Sequence, residues 1–324
     1  MDFSSLVREP YWETCWDLWW HGLIFFIVTA LGYIAISGSL YVLFFLRRGT
    51  KVQPIATKQL IEKRSIGKIW AAIRHDVTLS LWSSAIFAIC ASIMTTAYTL
   101  GYTRLYLDPT EYSLWYVAFS LCLVIFLQDT YFYFTHRLAH HPKCYRWLHK
   151  GHHQSNNPTP WTAFSFDPGE ALLQALYLMV AVCLIPMHIS VLCAVVLVMS
   201  LGALIHHFSL RMFKDSALGR WLGSWLIGPM HHWFHHRKYN VHYGLYFTFW
   251  DKLLGTHRDG YESLLEPQTV VVDGNVPLAM ATPLLRAASP QELGRIAQTS
   301  TQPPADQKAS SKLVPFRVPT KKAS

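Results

Sequence analysis

The feature that most constrains this chain is a series of apolar runs, each long enough to cross a lipid bilayer. A membrane-spanning helix needs about 20 mostly apolar residues. Leu18 to Leu46 and Leu79 to Leu100 each supply such a run, and Leu114 to Phe134 supplies a third that is interrupted by Gln128 and Asp129. These runs predict helices that span a membrane.

The fourth run, Ala171 to Ile205, is too long for one span and contains Pro186. We expect either two short helices that turn near Pro186 to His188, or a re-entrant pair. The composition agrees with a membrane protein, because 15% of the residues are charged, against about 25% in ordinary soluble domains. The predicted fold is therefore an all-α, multi-pass transmembrane bundle with four or five membrane helices.

The distribution of basic residues predicts how the bundle is oriented. Eight Lys and Arg residues lie between Arg47 and Arg74, whereas the segment between the second and third spans carries only Arg104. Lys and Arg accumulate in cytoplasmic loops, so the basic loop 47–78 is predicted to be cytoplasmic and the N-terminus to lie outside. Residues 135–170 and 206–324 then also lie in the cytoplasm. We attribute the formal net charge of +9 to this bias and predict no nucleic-acid partner.

The chain is predicted to have three parts. A transmembrane region covers residues 1–134, a histidine-rich region with the helical hairpin 171–205 covers residues 135–266, and a polar tail covers residues 267–324. The tail is predicted to be disordered, because its polar composition cannot bury enough apolar surface to offset the cost of ordering. Its last residues, Lys321-Lys322-Ala323-Ser324, resemble an endoplasmic-reticulum retrieval signal, which a Lys-rich tail can also produce by chance.

Histidines are concentrated in three short clusters, HRLAHH, HKGHH and HHWFHH, all on the predicted cytoplasmic side. Side chains at positions i, i+3 and i+4 share one face of a helix, so each cluster can direct two or three imidazoles to one point. The candidate metal ligands are His136, His140, His149, His152, His153, His232, His235 and His236. The six cysteines include no CxxC pair and predict neither a disulfide framework nor a thiolate site.

Eight imidazoles are too many for one metal ion, since zinc usually takes four ligands, and they suffice for two. A nitrogen-rich ligand set suits Fe, Zn or Cu better than Mg or Ca. His206 or His207, at the end of the last span, could complete the coordination, and His206 is slightly favoured. His141 and His231 face away from their neighbours and are predicted to lie around the ligands. The sequence thus predicts a dimetal site in a cytosolic helical cap.

The motifs from about Asp129 to Thr256 resemble the fatty acid hydroxylase/sterol desaturase superfamily. DTYFYFTHRLAHHP and YRWLHKGHH are similar to the family's D-x-x-x-Y-x-x-H-R-x-x-H and Y-x-x-x-H-x-x-H-H. HHRKYNVHYGLYFTFWDKLLGT is similar to the sterol C5-desaturase pattern H-H-x-x-F-N-x-N-Y-G…W-D-x-x-x-G-T. His242 stands where the family has Asn, and it is a further ligand, a hydrogen-bond partner of a ligand, or neither.

This resemblance implies that residues 135–266 form the catalytic domain of an integral-membrane di-iron oxidoreductase. Such an enzyme uses O₂ to hydroxylate or desaturate a lipid, here a sterol, a fatty acyl chain or a sphingoid-type chain. The chain has no dinucleotide-binding loop and no haem or iron–sulfur cysteine motif. Electrons should therefore come from a separate donor such as cytochrome b5 or ferredoxin. The basic face from Arg137 to Lys150 could dock this donor, although a cytoplasmic loop would carry the same charge.

Carboxylates near the histidine clusters are candidates for orienting the ligands. Asp129 lies two helical turns before His136 and is the candidate catalytic carboxylate, because it could accept the Nδ1–H of a liganding ring; alternatively it faces water. Asp167 and Glu170 are weaker candidates. The predicted location is the endoplasmic reticulum in a eukaryote or the inner membrane in a bacterium.

Two other functional classes fit histidine-rich membrane sequences. A metal transporter would place ionisable residues inside its spans, whereas these clusters lie outside the predicted spans. A zinc-dependent membrane hydrolase would act without O₂ or a reductant.

Overall fold

The structure, a computed structural model, describes residues 11–46, 66–156, 158–208 and 217–258. Helices dominate this part of the chain, and four of the described helices are long and apolar enough to cross a membrane. The four candidate spans are Leu18–Phe45, Gly67–Thr99, Leu114–Ala139 and Ile189–His206. The predicted all-α, multi-pass membrane bundle is therefore confirmed.

The described elements follow one another as nine α-helices, with short turns and strands between them. The helices are α1 (Tyr11–Tyr41), α2 (Ile66–Thr99), α3 (Leu114–Ala139), α4 (Pro142–Leu148), α5 (Pro168–Leu184), α6 (Ile189–His206), α7 (Ala217–Trp225), α8 (Pro229–Lys238) and α9 (Phe249–Leu253). A π-helical turn, Val42–Leu46, continues α1, and 3₁₀ turns lie at His152–Gln154 and Pro160–Thr162. The strands β1 (Leu105–Tyr106) and β2 (Met187–His188) pair in parallel.

The apolar run around Pro186 forms two helices that turn at Pro186 to His188, as both predicted alternatives require. Helix α5 ends at Leu184, β2 follows, and α6 begins at Ile189. With 17 residues, α5 is shorter than the length that usually spans a bilayer. The short strand β2 is fixed because Met187 pairs with Leu105 of β1.

Helix α2 begins well before the predicted span. It starts at Ile66, so residues 66–78 of the predicted basic loop are helical. Residues 47–65 and the predicted tail 267–324 lie outside the described residues.

The outside of the bundle is apolar, as expected for helices surrounded by lipid. On α1, Val28 is 63% exposed and Leu31 is 61% exposed. A contiguous apolar surface of this kind is rare on a soluble monomer. The interior core lies between α3, α5 and α6, where Val124, Val182 and Val195 are fully buried.

Helix ends bring the histidine clusters to one end of the bundle. His136 lies in the last turn of α3, and His207 follows the last residue of α6. Helix α8 begins with Pro229 at its first position, where a missing N–H has no cost, and it stops at Tyr239, whose φ of 66° is left-handed. This short helix carries the third cluster into the space between the ends of α3 and α6.

The predicted orientation can be tested by labelling single cysteines in a cysteine-free variant. Thr110 lies between α2 and α3, and Lys150 lies next to the second histidine cluster; both are exposed. We expect Thr110→Cys to react with a membrane-impermeant maleimide on intact cells and Lys150→Cys to react only after permeabilisation, because basic loops stay in the cytoplasm. The reverse labelling pattern would contradict the predicted orientation.

Candidate metal centre

Nine histidine rings form two buried groups at the end of the bundle. Within each group, one ring nitrogen of every member lies within 4.8 Å of those of the other members. The first group contains His136, His140, His149, His153 and His235, and the second contains His152, His207, His232 and His236. All eight residues predicted from the three clusters are therefore brought together.

The histidines of one cluster do not all join the same group. On α8, His235 faces the first group, whereas His232 and His236 face the second. In the second cluster, His149 and His153 belong to the first group and His152 to the second. The spacing predicts one shared point for each cluster, but the tertiary structure divides two of the clusters between two points.

Hydrogen bonds at Nδ1 fix the orientation of five of these rings. In the first group, His136 Nδ1–H donates to the Tyr243 carbonyl (3.0 Å), and His235 Nδ1–H donates to the Val241 carbonyl (2.7 Å). His149 Nδ1–H donates to the buried carboxylate of Glu170 (2.7 Å). A ring whose proton is held at Nδ1 presents the lone pair of Nε2 on its other side.

The second group has the same arrangement. His152 Nδ1–H donates to the Ser165 carbonyl (3.0 Å), and His207 Nδ1–H donates to the Ala203 carbonyl (2.6 Å). Backbone carbonyls only accept hydrogen bonds, so these contacts determine the tautomer of both rings. Their Nε2 atoms are thereby available as ligands.

The Nε2 atoms face one another at distances that suit a shared cation. His136 Nε2 lies 2.9 Å from His149 Nε2. The corresponding distance is 3.1 Å between His207 and His232. Two nitrogens about 2.1 Å from one ion and at right angles to each other lie about 3 Å apart. The donor set therefore fits two metal ions, one for each group.

Burial keeps these rings neutral. Desolvation, followed by the influence of neighbouring imidazoles, lowers the pKa of His140 to about 2 and holds the pKa of His149 and His235 well below the usual value. Burial also lowers the pKa of His152 to about 4. Neutral imidazole is the form that binds metals, so the site needs little deprotonation at neutral pH.

The structure places His207, rather than the favoured His206, in the second group. The His206 Nε2–H donates to the carbonyl of Ile227 (3.2 Å), so this ring nitrogen is engaged elsewhere. The His207 Nε2 faces His232 instead. His206 and His207 are adjacent at the end of α6. They differ in the direction in which each side chain leaves the helix, and that direction decides which ring joins the second group.

The remaining candidate histidines lie outside the two groups. His141 is exposed, and its Nδ1 accepts the N–H of Lys143 at the start of α4. His231 and His242 form a third group with His257. In this group the Nδ1 of His231 accepts the Gly228 N–H (3.0 Å), so neutral His231 carries its proton on Nε2 and is unsuited to ligate a metal through that atom.

Asp129 has a different role from the predicted one. Its Oδ1 accepts the backbone N–H groups of Leu245, Tyr246 and Phe247 (3.2, 2.7 and 3.2 Å), and His136 Nδ1 is bound by Tyr243 instead. The carboxylate therefore holds the loop of residues 245–247 in place, because three consecutive backbone N–H groups of this loop donate to the same oxygen. No hydrogen bond in the described residues joins Asp129 to a histidine.

Other carboxylates support the site. Glu170 takes the role that was predicted for Asp129, and Asp167 accepts the backbone N–H groups of Gly151 and His152. Asp76, on α2, accepts hydroxyl hydrogen bonds from Ser155, Thr162 and Ser165 around the second cluster. Asp76 was not identified from the sequence as a residue that supports the site. Its position as a charged residue next to a long apolar run was the one feature that could have indicated this role.

An apolar cavity of 870 Å³ lies among the helices, and two of its wall residues pack against histidine rings. Its walls come mainly from α1, α2, α5 and α6, with Phe132 of α3 and Phe166 of the loop before α5. The ring of Phe132 lies 4.9 Å from that of His136, and the ring of Phe166 stacks 5.6 Å from that of His152. Two further wall residues, Val28 and Leu197, are 63% and 58% exposed, so the cavity reaches the apolar outer surface.

A comparison with known proteins finds a matching family model for the histidine-rich region. Residues 121–256 match the family described as "Fatty acid hydroxylase", which covers both histidine groups. The predicted resemblance to the fatty acid hydroxylase/sterol desaturase superfamily is confirmed. No solved structure matches the chain.

Several curated relatives are sterol desaturases. The chain is 33% identical over 180 residues to Delta(7)-sterol 5(6)-desaturase ERG3B of Gibberella zeae, covering 54% of each protein. It is 30% identical over 210 residues to Delta(7)-sterol 5(6)-desaturase erg3C of Aspergillus fumigatus, covering 60% of this chain and 65% of the relative. It is 31% identical over 175 residues to human Lathosterol oxidase, covering 52% and 56%. The matched part thus spans between about half and two thirds of each relative.

Substitution of the two neighbouring histidines tests the second group. We expect His207→Ala to lower the metal content of the purified protein by about half, because the second group loses one of four ligands. His206→Ala should retain the wild-type content, and His141→Ala is an exposed control. Elemental analysis of the purified variants measures this, and equal losses in the His206 and His207 variants would contradict the assignment.

Substitution of Asp129 tests its anchoring role. Asp129→Ala leaves three backbone N–H groups without their acceptor, and hydrogen bonds to a charged group contribute about 1.5–3 kcal/mol each. We expect a markedly lower unfolding temperature in detergent, with a smaller loss for Asp129→Asn, which keeps one carbonyl oxygen. Asp108→Ala removes an exposed carboxylate and is the matched control. Wild-type stability of Asp129→Ala would show that the three hydrogen bonds are dispensable.

Proposed function

We propose that this protein is an O₂-dependent membrane oxidoreductase that binds two iron ions and hydroxylates or desaturates a lipid. The observation that carries the proposal is the junction between the two histidine groups and the apolar cavity. Nitrogen ligands with their Nε2 atoms about 3 Å apart lie against aromatic walls that a hydrocarbon can reach from the bilayer. Two bound iron ions would supply the activation of O₂ that oxidation of an unactivated C–H bond requires.

The chain's own residues would prepare this reaction in three ways. The Nδ1 hydrogen bonds hold five rings with their lone pairs directed inward, so little reorganisation is needed when metal binds. Glu170 places a carboxylate against His149 and makes that ring a stronger electron donor. Phe132 and Phe166 would place aromatic surface between the cavity and the rings of His136 and His152.

The proposed substrate is a membrane lipid, and a Δ7-sterol is the first candidate. Relatives named for Delta(7)-sterols and lathosterol support this candidate. The volume of 870 Å³ lies within the range of about 300–1,000 Å³ that is typical of small-molecule sites. Fatty acyl and sphingoid-type chains are the other substrates of the same chemical class.

The electron donor is proposed to be a separate acidic protein of the cytochrome b5 or ferredoxin type. Lys143, Arg146 and Lys150 are exposed on or beside α4, and Trp147 is 70% exposed among them. These residues adjoin His149, so a donor that docks there would lie close to the first histidine group. A cytoplasmic active site, in the endoplasmic reticulum or an inner membrane, is part of this proposal.

The lipids of a host with and without the chain test the proposal. We expect a supplied Δ7-sterol, or another host lipid, to gain one oxygen atom or lose two hydrogen atoms, and only when O₂ is present. His149→Ala should lower product formation by more than about a hundredfold and lower the metal content while the protein still inserts. His141→Ala is the matched control and should retain activity.

Two outcomes would contradict the proposal. Turnover of a lipid without O₂ would favour a metal-dependent hydrolase. Metal uptake by proteoliposomes in the absence of lipid oxidation would favour a transporter.

A further inference from the structure

The polar side chains that line the apolar cavity are almost all satisfied by the protein itself. Ser84 donates to the Ser80 carbonyl (2.8 Å), and Tyr33 donates to the Trp161 carbonyl (2.9 Å). Three further hydroxyl groups in the wall donate to carbonyls one turn earlier in their own helices: Thr29, Thr95 and Ser200. These residues therefore present little unmet hydrogen-bonding capacity to a lipid.

Gln174 is the exception among the buried wall residues. It is 8% exposed and lines the cavity, yet no hydrogen bond joins its carboxamide to another described residue. Its amide is not among the fully buried polar groups of the described residues, so it is reachable from the cavity, whereas a leucine or methionine would present only apolar surface there. A glutamine at this position is explained if a ligand in the cavity forms hydrogen bonds with its carboxamide.

Gln174 also lies at the reacting end of the cavity. It is four residues after Glu170 on α5, so the two side chains share one face of the helix. Glu170 is bound to His149 of the first histidine group. Phe132 and Phe166, which contact His136 and His152, line the same cavity. A group that binds Gln174 would therefore lie about one helical turn from the carboxylate that holds a metal-ligand ring.

We propose that the Gln174 carboxamide binds a hydroxyl or carbonyl oxygen of the lipid substrate and thereby sets substrate specificity. This inference rests on the proposed function and narrows its substrate class to lipids that carry an oxygen close to the carbon that is oxidised. A 3-hydroxysterol meets this requirement, because one carbon separates its hydroxyl-bearing carbon from ring position 5. A methylene in the middle of a fatty acyl chain does not meet it.

Binding to the metal-loaded protein in detergent tests the inference without requiring turnover. The probes are a Δ7-sterol and its 3-deoxy analogue, each competing with a radiolabelled Δ7-sterol. We expect wild-type protein to bind the hydroxylated sterol about tenfold more tightly, as one hydrogen bond allows. Gln174→Leu should abolish this preference while its affinity for the deoxy analogue stays the same or rises.

Controls separate this inference from the proposed function. Ser84→Ala removes a hydroxyl that the protein already satisfies and should keep the tenfold preference, and equal metal content and unfolding temperature show that Gln174→Leu is folded. Equal binding of both probes by the wild type, or an undiminished preference in Gln174→Leu, would overturn the role of Gln174 while leaving the oxygenase proposal intact. Failure of the wild type to bind either probe would overturn the sterol class and this inference together, and O₂-dependent oxidation of another lipid would then still support the proposed function.

Discussion

The site depends on hydrogen bonds that hold the Nδ1 protons of buried imidazoles away from the centre. A neutral imidazole carries one proton, so a carbonyl or carboxylate at Nδ1 decides that Nε2 is a lone pair. With Tyr243, Val241, Ser165 and Ala203 supplying carbonyls and Glu170 a carboxylate, unprotonated nitrogens face one another inside the protein. Lone pairs directed in this way can be shared by a bound cation, so the arrangement fits metal binding.

Several of those acceptors are themselves fixed by carboxylates. Asp251 accepts the N–H groups of Tyr243 and Gly244, and Asp129 accepts the next three along the chain. The loop that presents the Tyr243 carbonyl to His136 is thus held by hydrogen bonds from five consecutive backbone N–H groups, those of residues 243–247, to these two carboxylates. Asp76 has a comparable function at the second cluster, where Ser165 contributes a hydroxyl to Asp76 and a carbonyl to His152. Buried carboxylates outside the two histidine groups thereby determine where the histidine rings lie.

The surroundings of the histidines suit the proposed oxidation of a lipid. The helices are apolar outside, and the cavity between them is apolar inside, so a lipid can pass from bilayer to protein without crossing water. Aromatic rings of the cavity wall pack against His136 and His152. Within this apolar lining Gln174 provides one open hydrogen-bonding group, and a small number of polar groups in an apolar pocket is the usual basis for ligand orientation.

The sequence by itself determined the membrane bundle, the break at Pro186, the eight clustered histidines and the family, because hydropathy and short spacings are local properties of the chain. It did not determine how the rings divide between two groups, the choice of His207 over His206, or the partners of Asp129. Those features depend on backbone carbonyls and amides, which every residue carries and which leave no signature in the sequence. The carbonyl that orients His136 belongs to Tyr243, 107 residues further along the chain, and only the packing of α8 and its following loop against the end of α3 brings the two together.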